Sequence, residues 1–93
     1  MSDTPSLLAE RQRTHGSFIR VSWVVQLLRD IWRHELGWER LTPVKREAMD
    51  CIATKQARIL SGDPNCEDHW VDIQGYAELA LIEIRETKKA SAP

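Results

Sequence analysis

Residues 62–77 read GDPNCEDHWVDIQGYA, and the beginning of this stretch decides the fold. Gly62 ends a long amphipathic segment, and Asp63 followed by Pro64 is a cap-and-proline pair that opens a helix. The link between the two helices is therefore expected to be only about two or three residues long, which forces them into an antiparallel hairpin.

The same start signal occurs at two earlier points in the chain, Thr4-Pro5 and Thr42-Pro43. Each of the first three predicted helices ends near a glycine, at Gly16, Gly37 and Gly62. The predicted helices cover residues 5–14, 18–36, 43–61 and the segment from 64 onward. No segment alternates with the period of a strand. The predicted fold is all-α, a single domain over residues 1–93, with a short N-terminal helix, a three-helix core and frayed ends at 1–3 and 88–93.

Apolar residues recur at helical spacing and predict one core side on each long helix. Phe18, Leu36, Leu60 and Trp70 fall on these core sides. A second apolar side carries Trp23 and Leu27 on one helix and Leu79 and Ile82 on the last. Because a chain of 93 residues is at the small end of what one core can hold together, this second side predicts a homo-oligomer or another protein contact.

The charge balance restricts the partners. The formal net charge is -1, from 13 basic and 14 acidic residues, which argues against a general nucleic-acid binder. No apolar run approaches the roughly 18 residues that span a membrane, and the first residues lack a signal-peptide pattern. Two cysteines in this composition indicate reduced thiols. The protein is predicted to be cytoplasmic and not bound to a membrane.

Four carboxylates lie on the polar sides of the two helices that form the predicted hairpin, and they could hold Mg²⁺. Glu47 and Asp50 lie three apart on one helix, and Asp68 and Asp72 lie on the next. The alternative is that these acids form ion pairs between the helices. The register puts Lys55 level with Asp72, and it puts Arg58 level with Asp68.

A basic cluster precedes the second helix. Arg11, Arg13 and His15 stand just before Gly16 and the N-terminus of that helix, where a phosphate is favoured. Lys55 and Arg58, on the polar side of the third predicted helix, complete the predicted set of phosphate-binding residues.

Cys66 and His69 have the spacing of a metal-ligand pair. A zinc site needs four such ligands, and the chain offers no second close pair. We therefore interpret this spacing as incidental.

Four blocks carry a resemblance to a known group: ERQRTHGSF (10–18), LTPVKREAMD (41–50), ATKQARILSGDPN (53–65) and DHWVDIQGYA (68–77). In their order and spacing, over residues 10–81, the chain resembles small proteins of unknown function from bacteriophage and prophage genomes. That group is similar to the MazG-type all-α nucleoside triphosphate pyrophosphohydrolases. The resemblance implies a helical protein that handles nucleotides, with carboxylate-bound Mg²⁺ as cofactor if it is an enzyme.

The chain departs from the MazG-type pattern at several positions. Glu47 and Asp50 match the second half of its E-x-x-E…E-x-x-D motif, so Asp68 and Asp72 would have to replace the first half. They come later in the chain and are four residues apart. The resemblance also leads us to expect an aspartate where residue 17 is serine and a histidine where residue 54 is threonine. These departures disfavour hydrolysis more than nucleotide binding.

The leading hypothesis is a phage-type nucleotide-binding protein that sequesters a nucleotide or a nucleotide signal of host defence. One alternative is a Mg²⁺-dependent nucleoside triphosphate pyrophosphohydrolase. The other is a small counter-defence inhibitor that contacts a host protein.

Overall fold

A computed structural model describes residues 4–91 as an assembly of helices with no strand in that range. The α-helices are α1 (Thr4–His15), α2 (Phe18–Arg33), α3 (Pro43–Ser61) and α4 (Glu67–Ser91), and a short 3₁₀ helix (Leu36–Arg40) lies between α2 and α3. The predicted all-α class is confirmed. Residues 88–91, where fraying was expected, form the last turn of α4, and residues 1–3 and 92–93 lie outside the described range.

The bounds of α3 are those that its sequence signals predict. Thr42 is the N-cap, and its hydroxyl accepts a hydrogen bond from the Lys45 backbone N–H at 3.3 Å. Pro43 occupies the first turn, where a missing N–H costs nothing. Gly62 ends the helix, and its N–H donates to the Arg58 carbonyl at 2.8 Å.

α2 ends one turn earlier than predicted, at Arg33. The next two N–H groups, from His34 and Glu35, donate to the carbonyls three residues back, on Ile31 and Trp32, at 3.2 and 3.0 Å. Such bonds tighten the end of a helix, and the chain then continues into the 3₁₀ helix.

The start of α4 was also predicted wrongly. Asp63 does not cap a helix at Pro64, because its carboxylate accepts the N–H of Asn65 at 2.9 Å and closes a local turn. A second turn bond joins the Cys66 N–H to the Asp63 carbonyl at 3.1 Å. The link therefore spans residues 62–66, and α4 begins at Glu67.

α3 and α4 pack along each other in opposite directions. Lys55 Nζ lies 2.8 Å from the Asp72 carboxylate, and Lys45 Nζ lies 3.1 Å from the Glu83 carboxylate. As the residue number falls along α3 it rises along α4. The pairing of residue 55 with residue 72 is the register that the sequence predicts.

α3 is the central helix, and alanines make its closest contacts. α1, α2 and α4 all pack against it. Ala53 and Ala57 are completely buried, and Ala48 is nearly so. Short side chains on the central helix let its neighbours approach closely. Val21 and Val25 of α2 supply the remaining buried apolar side chains.

Several large residues that were predicted to lie in the core are exposed. Trp70 lies on the surface, and its indole N–H donates to the Pro64 carbonyl at 2.9 Å. Phe18, Leu36 and Leu60 are also exposed. The prediction that these four residues lie in the core is therefore wrong.

We find no helix within residues 4–91 with the length and apolar character needed to cross a bilayer.

Candidate functional site

Two glycines join the end of α1 to the loop after α3. Gly16 has a φ of 79°, a left-handed conformation that ends α1. A Cβ on Gly62 would lie 2.5 Å from the Gly16 nitrogen and 2.6 Å from the Thr14 carbonyl oxygen. The Asp63 N–H donates to that same carbonyl at 3.2 Å. The backbones touch directly, so α1 has a fixed position relative to α3.

His69 of α4 stabilises the same junction through a hydrogen bond. Its side chain is completely buried, and Nε2 lies 3.1 Å from the Thr14 carbonyl oxygen. A carbonyl only accepts, so Nε2 carries the proton and donates. The ring meets the His15 ring edge-on, with centroids 4.6 Å apart. His69 is therefore a structural residue, and its C-x-x-H spacing gave no sign of this role.

The junction brings basic side chains of α1 and α3 together. Burial lowers the pKa of His15, and positive charge nearby lowers it further. The contributing groups are Arg11, His69, Arg58 and Lys55. Four of the five predicted phosphate-binding residues, Arg11, His15, Lys55 and Arg58, thus lie in one region, where Lys55 is paired with Asp72. The His15 ring is neutral there at physiological pH.

A cavity of about 430 Å³ opens beside this region, between α1, the start of α2, and α3. It is lined by Leu8, Arg11, Gln12, Gly16, Phe18, Val21 and Arg58. The lining contains two guanidinium groups and no carboxylate among the residues that the structure describes.

Arg58 is the unusual member of this lining. Its Nε atom is buried and has no hydrogen-bond partner within residues 4–91. Burial lowers the pKa of the guanidinium, and the charge of Arg11 lowers it further. The ion pair with Asp68 that the register suggested is not found among residues 4–91, where Asp68 lies exposed at the start of α4. A buried N–H group without an acceptor is costly, and an anionic ligand in the cavity would supply that acceptor.

The N-terminus of α2 reinforces the positive character of the cavity. Ser17 is the N-cap residue, but its side chain makes no capping hydrogen bond. N–H groups in the first turn of a helix lack partners inside the helix, and they attract anions. Gly16 and Phe18, on either side of Ser17, both line the cavity.

Arg13 lies outside this site. Its guanidinium points toward the Glu10 carboxylate, 3.7 Å away, and both side chains are largely exposed. Arg13 is therefore the one predicted phosphate-binding residue that the structure does not bring to the basic region.

The predicted metal-binding carboxylates are engaged elsewhere or exposed. Asp50 lies 3.0 Å from Arg29 Nε, a partner that the sequence did not suggest. Asp72 pairs with Lys55, as the ion-pair alternative predicts, and the hydrogen bond from Lys55 lowers the pKa of that carboxyl group. Glu47 is exposed and accepts a weak hydrogen bond from the Cys51 thiol at 3.5 Å.

Within residues 4–91, no three histidine, cysteine, aspartate or glutamate side chains gather as a metal-ligand set. The Lys55 to Asp72 ion pair is confirmed. Binding of Mg²⁺ by Glu47, Asp50, Asp68 and Asp72 stays a prediction.

Apart from the apolar wall formed by Leu8 and Val21, two residues that line the cavity were missed at the level of sequence. Gln12 and Phe18 line it, and Phe18 was assigned to the core although 78% of its surface is exposed. Both belong to the block ERQRTHGSF, so their closeness to Arg11 was the available signal. An exposed aromatic ring beside two guanidinium groups is a surface on which a base can stack.

Comparisons with protein-family models, with curated proteins and with solved structures found no match to this chain.

Proposed function

We propose that the protein binds a nucleotide in the cavity between α1, α2 and α3. The observation that carries the proposal is Arg58, whose buried Nε has no partner within the described chain and which faces a second cation, Arg11. Phosphate oxygens are suitable acceptors for both guanidinium groups.

The rest of the cavity suits the other parts of a nucleotide. Its volume of about 430 Å³ is within the range of small-molecule sites. Phe18 offers a face for base stacking, and Gln12 offers an amide that can donate and accept hydrogen bonds. Leu8 and Val21 give the cavity an apolar wall.

Retention of the ligand is better supported than its hydrolysis. Asp50 and Asp72 already neutralise Arg29 and Lys55, so using them as Mg²⁺ ligands would leave two cations without their partners. We therefore favour a phage-type protein that sequesters a nucleotide or a nucleotide signal of host defence in the cytoplasm. This role also rests on the resemblance of the four sequence blocks.

A nucleotide panel tests the proposal. The full chain is mixed with mono-, di-, tri- and cyclic nucleotides, with and without Mg²⁺, and both bound and released ligand are identified by mass spectrometry. We expect at least one intact nucleotide to be retained without Mg²⁺. Pyrophosphate release that requires Mg²⁺ and is lost in Asp50→Asn would instead favour the pyrophosphohydrolase. Absence of both binding and turnover would contradict both.

Proton uptake by His15 is a second expected result. Burial and neighbouring cations lower the pKa of His15, and a bound phosphate group would raise it again. Binding should therefore take up protons. By linkage, it should become tighter as the pH falls from 8 toward the pKa of His15 in the free protein. Calorimetric titration with a cyclic nucleotide in buffers of different ionisation enthalpy measures the uptake, because a phosphodiester does not itself titrate in this range. His15→Gln should abolish the uptake, and uptake unchanged in that variant would exclude His15 from the site.

A further inference from the structure

A stripe of exposed apolar residues runs along the outer side of α2. It consists of Ile19, Trp23, Leu27 and Ile31, which are 70%, 64%, 57% and 60% exposed. Residues four apart on a helix form one continuous ridge. The stripe lies on the side of α2 away from the buried residues Val21 and Val25.

The molecule exposes more surface than a folded monomer of its mass. Its accessible surface is 7197 Å². A globular monomer of 10.7 kDa is expected to expose about 5,500 Å², roughly 1,700 Å² less. A stable interface removes about 800 Å² from each partner. The surplus is thus sufficient for one interface of standard size.

The dimensions lead to the same conclusion. The radius of gyration is 16.5 Å, and the longest extent is 63 Å. A compact domain of this length would have a radius of gyration of about 12 Å. An elongated chain with so much exposed apolar surface is typical of a subunit that is stable only against a partner.

We propose that the stripe on α2 is the docking surface for a second copy of this chain, paired antiparallel about a two-fold axis at the level of Val25. This arrangement puts Ile19 level with Ile31 of the second copy, and Trp23 level with its Leu27. A two-fold interface needs a surface that complements itself. The stripe meets this requirement because it extends equally far to both sides of Val25.

The charges beside the stripe also fit this pairing. Arg20 and Asp30 are both exposed and lie five residues before and after Val25. In the antiparallel pair each end of the interface therefore holds one positive and one negative side chain. A parallel pair would place like charges at the same level, which is unfavourable.

The small core argues for a second copy over any other protein. The buried residues of the described chain are Gly16, Val21, Val25, Ala48, Ala53, Ala57 and His69. So small a core contributes little burial energy, so the chain needs a partner as soon as it is made. Only another copy is always present at an equal concentration. This inference stands independently of the proposed nucleotide binding.

Site-directed cross-linking tests the pairing. In a Cys51→Ser, Cys66→Ser background, Ile19→Cys and Ile31→Cys copies are refolded together and treated with a short bismaleimide. We expect a cross-linked dimer from the mixture and almost none from either variant alone, because residues 19 and 31 of one helix are about 18 Å apart. Equal cross-linking in the single variants would indicate a parallel pair and overturn the proposal. Absence of cross-linking in the mixture would overturn it as well.

The mass in solution provides an independent test. Sedimentation equilibrium of the unmodified chain should give about twice 10.7 kDa, and Trp23→Glu should reduce that mass or abolish folding. Leu60→Glu is the matched control, because Leu60 is a similarly apolar, exposed residue on α3. It should leave the mass unchanged. A folded monomer of the unmodified chain, or an equal loss of mass in both variants, would contradict docking through α2.

Discussion

Replacement of Gly62 by alanine is expected to lower the free energy of unfolding by about 1–3 kcal/mol, the usual cost of overpacking. The new Cβ would lie 2.5 Å from the Gly16 nitrogen, 2.6 Å from the Thr14 oxygen and 2.8 Å from the Thr14 carbonyl carbon. All three are backbone atoms, so no side chain can turn away to make room. The end of α1, which carries Arg11 and His15, would have to move away from α3. Denaturant unfolding at matched protein concentrations measures the change.

Gly75→Ala is the matched control. Gly75 lies inside α4, and a Cβ there meets nothing within 4 Å. Alanine is the better helix former, so this change should raise the free energy of unfolding by about 0.5–1 kcal/mol. The two substitutions add the same methyl group and should act with opposite sign. A loss of stability in Gly75→Ala as large as that in Gly62→Ala would show that the contact between Gly16 and Gly62 has no special role.

Arg58→Ala is expected to weaken nucleotide binding by about 10- to 100-fold, which corresponds to the loss of hydrogen bonds to a charged group. The same variant should be no less stable without ligand than the unmodified chain. The reason is that it removes a buried Nε–H group that has no hydrogen-bond partner within the described residues. Affinity should therefore fall without a loss of stability. A residue needed only for packing would lose both.

Arg13→Ala serves as the control for charge. It removes one positive charge from the same part of the chain, but Arg13 is exposed and faces Glu10 outside the cavity. The affinity of this variant for the nucleotide should fall by no more than about two-fold, because exposed charges are screened at physiological salt. Equal losses in both variants would mean that binding depends on the overall charge of α1 and α3 and not on the cavity.

Local signals in the sequence were enough to predict most of the helices. Thr42, Pro43 and Gly62 define α3 because capping and termination depend only on neighbouring residues. The start of α4 was missed because Asp63 and Pro64 also suit a turn. The choice depends on the Thr14 carbonyl, which takes the Asp63 N–H and comes from a distant part of the chain.

The orientation of α4 illustrates the same limit. The hydrophobic pattern predicts Trp70 in the core and gives His69 no structural role, whereas in the structure Trp70 is exposed and His69 is buried. His69 is buried because the Thr14 carbonyl, at the tightly packed end of α1, receives a donor there. Periodicity cannot reveal a requirement that arises only when α1 and α4 meet.

The basic cluster could be foreseen in part. Arg11 and His15 precede a helix N-terminus, and Lys55 and Arg58 are basic residues on the polar side of α3. Two details depend on tertiary packing. Lys55 is neutralised by Asp72 while Arg58 has no such partner within residues 4–91, and Phe18 lies at the cavity and not in the core.

The measurement that tests the central claim most directly is the Nε–H resonance of Arg58, followed by ¹H–¹⁵N NMR as ligand is added. A nucleotide should shift this resonance strongly, and the matching nucleoside, which lacks the phosphate, should leave it nearly unchanged. The Arg13 Nε–H resonance should move little in either titration. An Arg58 resonance that does not shift when nucleotide is added, or that shifts equally with the nucleoside, would contradict phosphate binding by the cavity.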